Sequence, residues 1–255
     1  MPTYLLMEIS SWWNIPLLAL VLGCGVLYLL VAYQYSAGKK RFLLGLFLLY
    51  ICLGSPIYGI GHLFFSVHMI QMAILYFFVP PLLLIGVPRE LIEHLREFFG
   101  NKAVTLTVNR PMVYMFVFCG LFALYHIPMI FDAVMTNWWL HKAFHSILLI
   151  TALGMWSPVI MKWPLHQKKR YMRWSGVIIM PACLLLVFAD APLYKTYQDP
   201  ATWATALHVC FGIQQVENLR SAMGLLSSMT DQRLAGVSML VLHQLSHFNM
   251  IGKRK

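Results

Sequence analysis

Two pairs of residues, His68 with Met72 and His141 with His145, repeat at a spacing of four. On a helix that spacing puts both members of a pair on one face, about one turn apart. His126 offers a further imidazole from a different apolar run. Imidazole combined with thioether suits soft Cu(I), whereas Mg and Ca prefer oxygen, and structural zinc takes thiolate or imidazole without Met. The candidate metal ligands are therefore His68, Met72, His126, His141 and His145, and copper, as Cu(I), is the expected ion. A plainer reading stays open beside this one. A lone membrane His often hydrogen-bonds to a neighbouring helix, and a lone Met usually packs.

The elements that must position these residues are apolar. Of 255 residues, 60% are hydrophobic and only 11% charged, far from the balance of a soluble domain. The net charge of +10 does not describe a nucleic-acid-binding surface, because the basic residues form short clusters between apolar runs. Crossing the hydrocarbon core takes about 20 apolar residues. Such runs fall at 15–35, 42–60, 67–87, 111–131, 139–161, 174–193 and 233–251. The sequence thus predicts an all-α membrane protein, a bundle of seven transmembrane helices forming a single domain over 1–255. The first run lacks a basic leader and a small-residue cleavage pattern, and is expected to be retained.

Basic residues orient the bundle. Lys39, Lys40, Arg41, Arg89, Arg96, Lys102, Arg110, Lys162, Lys168, Lys169, Arg170, Arg173, Lys253, Arg254 and Lys255 all fall on one side of the seven runs, and only Lys142, Lys195, Arg220 and Arg233 on the other. The positive-inside rule makes the first side cytoplasmic, with the N-terminus outside and the C-terminus in the cytoplasm. Counting along the spans then puts Met72, His126 and His145 at one depth, roughly 7 Å inside the outer boundary. His68 and His141 lie nearer the surface, and His62 is in the loop above. Ionisable groups at such depth are costly and mark functional sites by default.

Two connections can hold structure of their own. Near 89–100, Leu91, Ile92, Leu95, Phe98 and Phe99 oppose Glu90, Glu93, Arg96 and Glu97, the pattern of an interfacial cytoplasmic helix. The outer connection near 194–232 spaces Val216, Leu219, Met223 and Leu226 for a second short helix. Pro80 and Pro81 are expected to kink the third span, and Pro128 to set the direction of His126. Asp132, Asp190 and Asp231 stand near outer helix ends, where they either orient a ligand His or cap a helix. Cys24, Cys52, Cys119 and Cys183 lie inside apolar runs and read as packing residues, while Cys210 is in a connection. His243 and His247 share a face in the inner half of the seventh run and are left unassigned, as are His208 and Cys210. His94 and His166 read as solvated.

Four segments, HMIQMAILYFFVPPLLLIGVP at 68–88, YHIPMIFDAVMTN at 125–137, HKAFHSILLITALGMWSP at 141–158 and MTDQRLAGVSML at 229–240, resemble the CtaG-type cytochrome c oxidase assembly factors of bacterial plasma membranes. The resemblance implies a multi-pass plasma-membrane assembly protein of the respiratory chain, not an enzyme. It would act as a metallochaperone for haem–copper oxidase, with oxidase subunits, a copper donor protein and membrane lipid as partners. Met72 stands where many members have His, and Phe144 where many have Glu. The first departure keeps a soft ligand. The second removes a carboxylate and moves the set toward Cu(I).

Two other functions compete. A membrane haem protein would use paired His as axial ligands. A copper transporter would need soft residues through the whole membrane, and Met161 and Met180 do not form a continuous ladder. The last run has no Lys for a retinal Schiff base.

Overall fold

The computed structural model describes residues 12–35, 38–99, 110–161, 163–211 and 226–251. Every regular element among them is helical: α1 Ile15–Val31, α2 Lys39–Gly54, α3 Pro56–Leu63, α4 Phe65–Ala73, a π-helical turn Ile74–Phe78, α5 Val79–Gly86, α6 Arg89–Phe99, α7 Pro111–Tyr125, α8 Pro128–Met135, α9 Trp138–Trp156, α10 Leu165–Phe188, α11 Pro200–Phe211 and α12 Ser228–Ile251, with short 3-10 turns at Ser157–Val159 and Lys195–Tyr197.

Among the described residues, Phe65–Gly86 and Leu165–Phe188 are each long and apolar enough to cross a membrane. The pairs α2 with α3 and α7 with α8 meet the same test only jointly, bent by 50° and 85°. Two expected straight spans are thus corrected. The run 42–60 breaks at Ser55, whose hydroxyl donates to the Ile51 carbonyl and accepts from the Ile57 N–H, with Pro56 opening the next helix. The run 111–131 breaks at His126 and Ile127, because Pro128 forces the residue before it into extended backbone, φ −73° and ψ 123°.

Phe65–Gly86 is the central helix. It packs against α2, α9 and α12, and 72% of its most apolar stretch is buried against 44% for α10. Pro80 and Pro81 do not break it. Pro80 has no N–H for the carbonyl of Tyr76, and the Trp156 indole N–H donates to that oxygen instead, at 2.9 Å. The π turn absorbs the mismatch within a continuous helix. Many outward side chains elsewhere are large and apolar, among them Leu20, Leu30, Phe116, Ile150 and Val177, a surface suited to lipid. Cys52, Cys119 and Cys183 are buried free thiols and Cys24 is exposed.

In α6, Glu90, Glu93, His94 and Glu97 are exposed while Leu91 and Ile92 are half-buried, and His94 faces Glu97 at 3.7 Å. The helix expected around Val216, Leu219 and Met223 lies outside the described residues.

Candidate metal centre

The breaks that shorten α2 and α7 build one histidine-rich end. The bend at Ser55 turns α3 so that Tyr58 and His62 lie over α4 and α9. Gly61 permits the approach: a Cβ there would overlap the Gln71 carboxamide and stand 3.3 Å from the His68 Cα. Gln71 is itself anchored by donating to the Cys52 carbonyl at 3.3 Å.

Four imidazoles meet in this space. Ring centroids are 6.2 Å apart for His62 and His68, 5.6 Å for His62 and His141, 4.3 Å for His141 and His145, and 6.1 Å for His68 and His145. All four are buried. Of the five expected ligands, three are therefore gathered: His68, His141 and His145. His62, expected above the site, is part of it.

Met72 and His126 make other contacts. Met72 is buried in the apolar core. His126 sits in the bend after α7, where its Nδ1–H donates to the Phe122 carbonyl at 2.7 Å, closing the last turn of the helix. Its Nε2 is buried without a hydrogen-bond partner. Tyr125, its neighbour, is what reaches the cluster.

Three tyrosines, none singled out by the sequence, hold the imidazoles. Tyr76 Oη bonds His145 Nδ1 at 2.7 Å; Tyr125 Oη bonds His68 Nε2 at 2.8 Å and His145 Nε2 at 3.3 Å; Tyr58 Oη bonds His141 Nε2 at 3.1 Å. Both ring nitrogens of His145 are thus engaged. The chain Tyr76–His145–Tyr125–His68 is bonded throughout when its protons run from Tyr76, whose hydroxyl donates to His145 Nδ1, through His145 Nε2–H to Tyr125 and from the Tyr125 hydroxyl to His68 Nε2; run the other way, Tyr76 only accepts within the chain. Tyr76 lies one turn beyond Met72, and it is Tyr76 that meets His145. His62 is fixed differently, its Nδ1–H donating to the Tyr58 carbonyl at 3.0 Å, which leaves Nε2 as its basic nitrogen. Lys142 Nζ lies 3.5 Å from Tyr58 Oη and over its ring.

Asp231 and Asp132 bond to helix ends and not to imidazoles. Asp231 accepts from the Phe65 and Ser66 backbone N–H groups at 2.6 and 3.0 Å, capping α4 from across the bundle. Asp132 accepts from the N–H groups of Lys195 and Thr196 and from the Thr196 hydroxyl. Asp190 is exposed.

Chemically, the cluster offers borderline nitrogen donors in an apolar, tyrosine-lined space, which suits Cu(I) better than a hard ion. His141 Nδ1 is buried and has no hydrogen-bond partner. Among the described residues, however, no three His, Cys, Asp or Glu converge their donor atoms on one point. Ligation therefore requires rearrangement of the imidazoles, beginning with the bonds to tyrosine. Phe144, with its ring 5.5 Å from that of Tyr125, takes an apolar place beside the cluster.

No curated protein and no solved structure matches the chain. The family model described as cytochrome c oxidase caa3 assembly factor (Caa3_CtaG) matches residues 26–252, which takes in every element of the histidine cluster. The chain belongs to the caa3-type cytochrome c oxidase assembly factor family.

Proposed function

We propose that this protein is a non-catalytic assembly factor that takes up copper, as Cu(I), at the extracytoplasmic end of a seven-span bundle and releases it to a subunit of a haem–copper oxidase. Copper is cargo in this reading. Four buried imidazoles in a ring, neighbouring centroids 4.3–6.2 Å apart, drawn from α3, α4 and α9, carry it. His68, His141 and His145, with His62, form the first binding set. Met72 and His126, buried nearby, supply donors for ligand exchange as the ion enters or leaves. The positive-inside bias of the basic clusters supports an outward-facing cluster, with both the copper donor and the client subunit approaching from that side.

Metal analysis of the purified protein, joined to its absorption spectrum, tests the reading. Copper without a Soret band is expected, and a Soret band without copper overturns it in favour of haem binding. Met72→Ala, His126→Ala and His145→Ala should each lower the copper bound per chain, while the exposed His94→Ala and His166→Ala should not. Equal copper in all five removes the site.

A further inference from the structure

A second imidazole pair lies apart from the cluster, on α12. His243 and His247 have ring centroids 4.2 Å apart. His243 is fully buried, and neither of its ring nitrogens has a hydrogen-bond partner. It packs edge-on against Phe77, centroids 4.7 Å apart, while His247 lies 5.5 Å from Trp156. The π turn thus walls two imidazole groups, with Tyr76 facing His145 and the adjacent Phe77 facing His243.

The hydrogen bonds around His247 define its tautomer. Ser175 donates its hydroxyl proton to the Met172 carbonyl at 2.9 Å, so toward His247 its oxygen can only accept, from Nε2–H at 3.3 Å. His247 Nδ1 is then the basic nitrogen. It faces Gly176 on α10: a Cβ at that glycine would sit 3.7 Å from His247 Nδ1 and 3.4 Å from His243 Cε1. The missing side chain leaves room beside both imidazoles. Met239, one turn before His243 and fully buried, adds a thioether to the same helical face.

A buried imidazole with both nitrogens unpaired is unfavourable unless a ligand completes it. The charge balance selects the ligand. Beyond Asp231, α12 carries no acidic residue, and α10 carries none at all. A divalent ion would bring two uncompensated charges into apolar surroundings, and a monovalent soft ion only one.

We propose that His243 and His247, with the space opened by Gly176, form a second Cu(I) site on the far side of the π turn from the four-histidine cluster. It shares the metal of the reading above but none of its residues. The test is anaerobic Cu(I) titration of the full-length protein in detergent against bicinchoninate, with far-UV circular dichroism as the check on folding. Two ions per chain are expected for the unaltered protein. His243→Gln/His247→Gln should lose one and keep the other, and His141→Gln/His145→Gln should do the converse, with X-ray absorption of its remaining copper showing imidazole scattering. Gly176→Ala keeps both ligands and packs at ordinary contact, yet fills the gap, and should weaken the second site at least tenfold. Unchanged uptake in the His243/His247 variant overturns the proposal. If that variant does not fold, unchanged affinity in Gly176→Ala overturns it instead. A single ion that only the His243/His247 substitutions or Gly176→Ala remove would leave this site standing and reject copper at the four-histidine cluster.

Discussion

Tyr125→Phe should weaken the metal-free fold and strengthen copper binding, by the same amount. The Tyr125 hydroxyl is buried and bonds His68 Nε2 and His145 Nε2 at 2.8 and 3.3 Å. Because Tyr76 holds the other nitrogen of His145, that imidazole cannot ligate an ion until one tyrosine lets go. Each neutral hydrogen bond contributes about 0.5–1.5 kcal/mol net, so the two together amount to about 1–3 kcal/mol. The metal-free protein loses this on substitution, while a copper-bound form in which His68 and His145 ligate through Nε2 has already given up both bonds and loses nothing. At about 1.4 kcal/mol per tenfold, Cu(I) affinity should rise about 5- to 150-fold. Phe keeps the ring against Phe131 and Phe144, at 5.1 and 5.5 Å, so packing is preserved. The assay pairs Cu(I) competition with bicinchoninate and thermal unfolding in detergent, with and without copper. Weaker copper binding in a folded variant would refute the reasoning, since it would make the hydroxyl a support for the metal and not its competitor.

Asp231→Asn should destabilise the protein by about 2–4 kcal/mol, because hydrogen bonds to a charged group are worth about 1.5–3 kcal/mol each and the amide turns an N–H toward one of its two former donors; denaturant unfolding in detergent checks it, and a loss below about 0.5 kcal/mol would show that the cap is dispensable. Asp199 lies at the start of α11, where hydrogen bonds from Thr202 hold its carboxyl below the ordinary value of 3.8. A depressed folded pKa means that the cap is fully effective above 3.8 and lost as pH falls through the folded value. Hydrogen exchange at the Thr202 amide should therefore speed up only on acidification below that range, and an exchange profile without such a step would count against the cap.

The spacing of His141 and His145 carried the local geometry correctly, because a shared helical face depends on the helix alone. The apolar runs likewise fall on helices, though among the described residues only two helices and two bent pairs are long and apolar enough to span, and α11 lies outside every run. The tyrosines were hidden because in an apolar run Tyr58, Tyr76 and Tyr125 read as hydrophobic bulk, and only packing aims their hydroxyls. A depth count has no means of representing the π turn from which Tyr76 meets His145. The break before Pro128 did have a signal, the restriction that proline places on the preceding residue, and it outweighed apolar composition. Asp231 was legible as a capping residue from its place ahead of an apolar run. That it caps α4, 166 and 165 residues from its partners in the chain, is a fact of tertiary structure.

That clasp has a mechanical meaning. Asp231 stands at the start of α12, and its two bonds grip the first turn of the helix that carries His68 one turn later. The register of α4 against α12 is therefore set at their ends, and the backbone that leads into His68 cannot shift along α12 without giving up a charged pair of bonds.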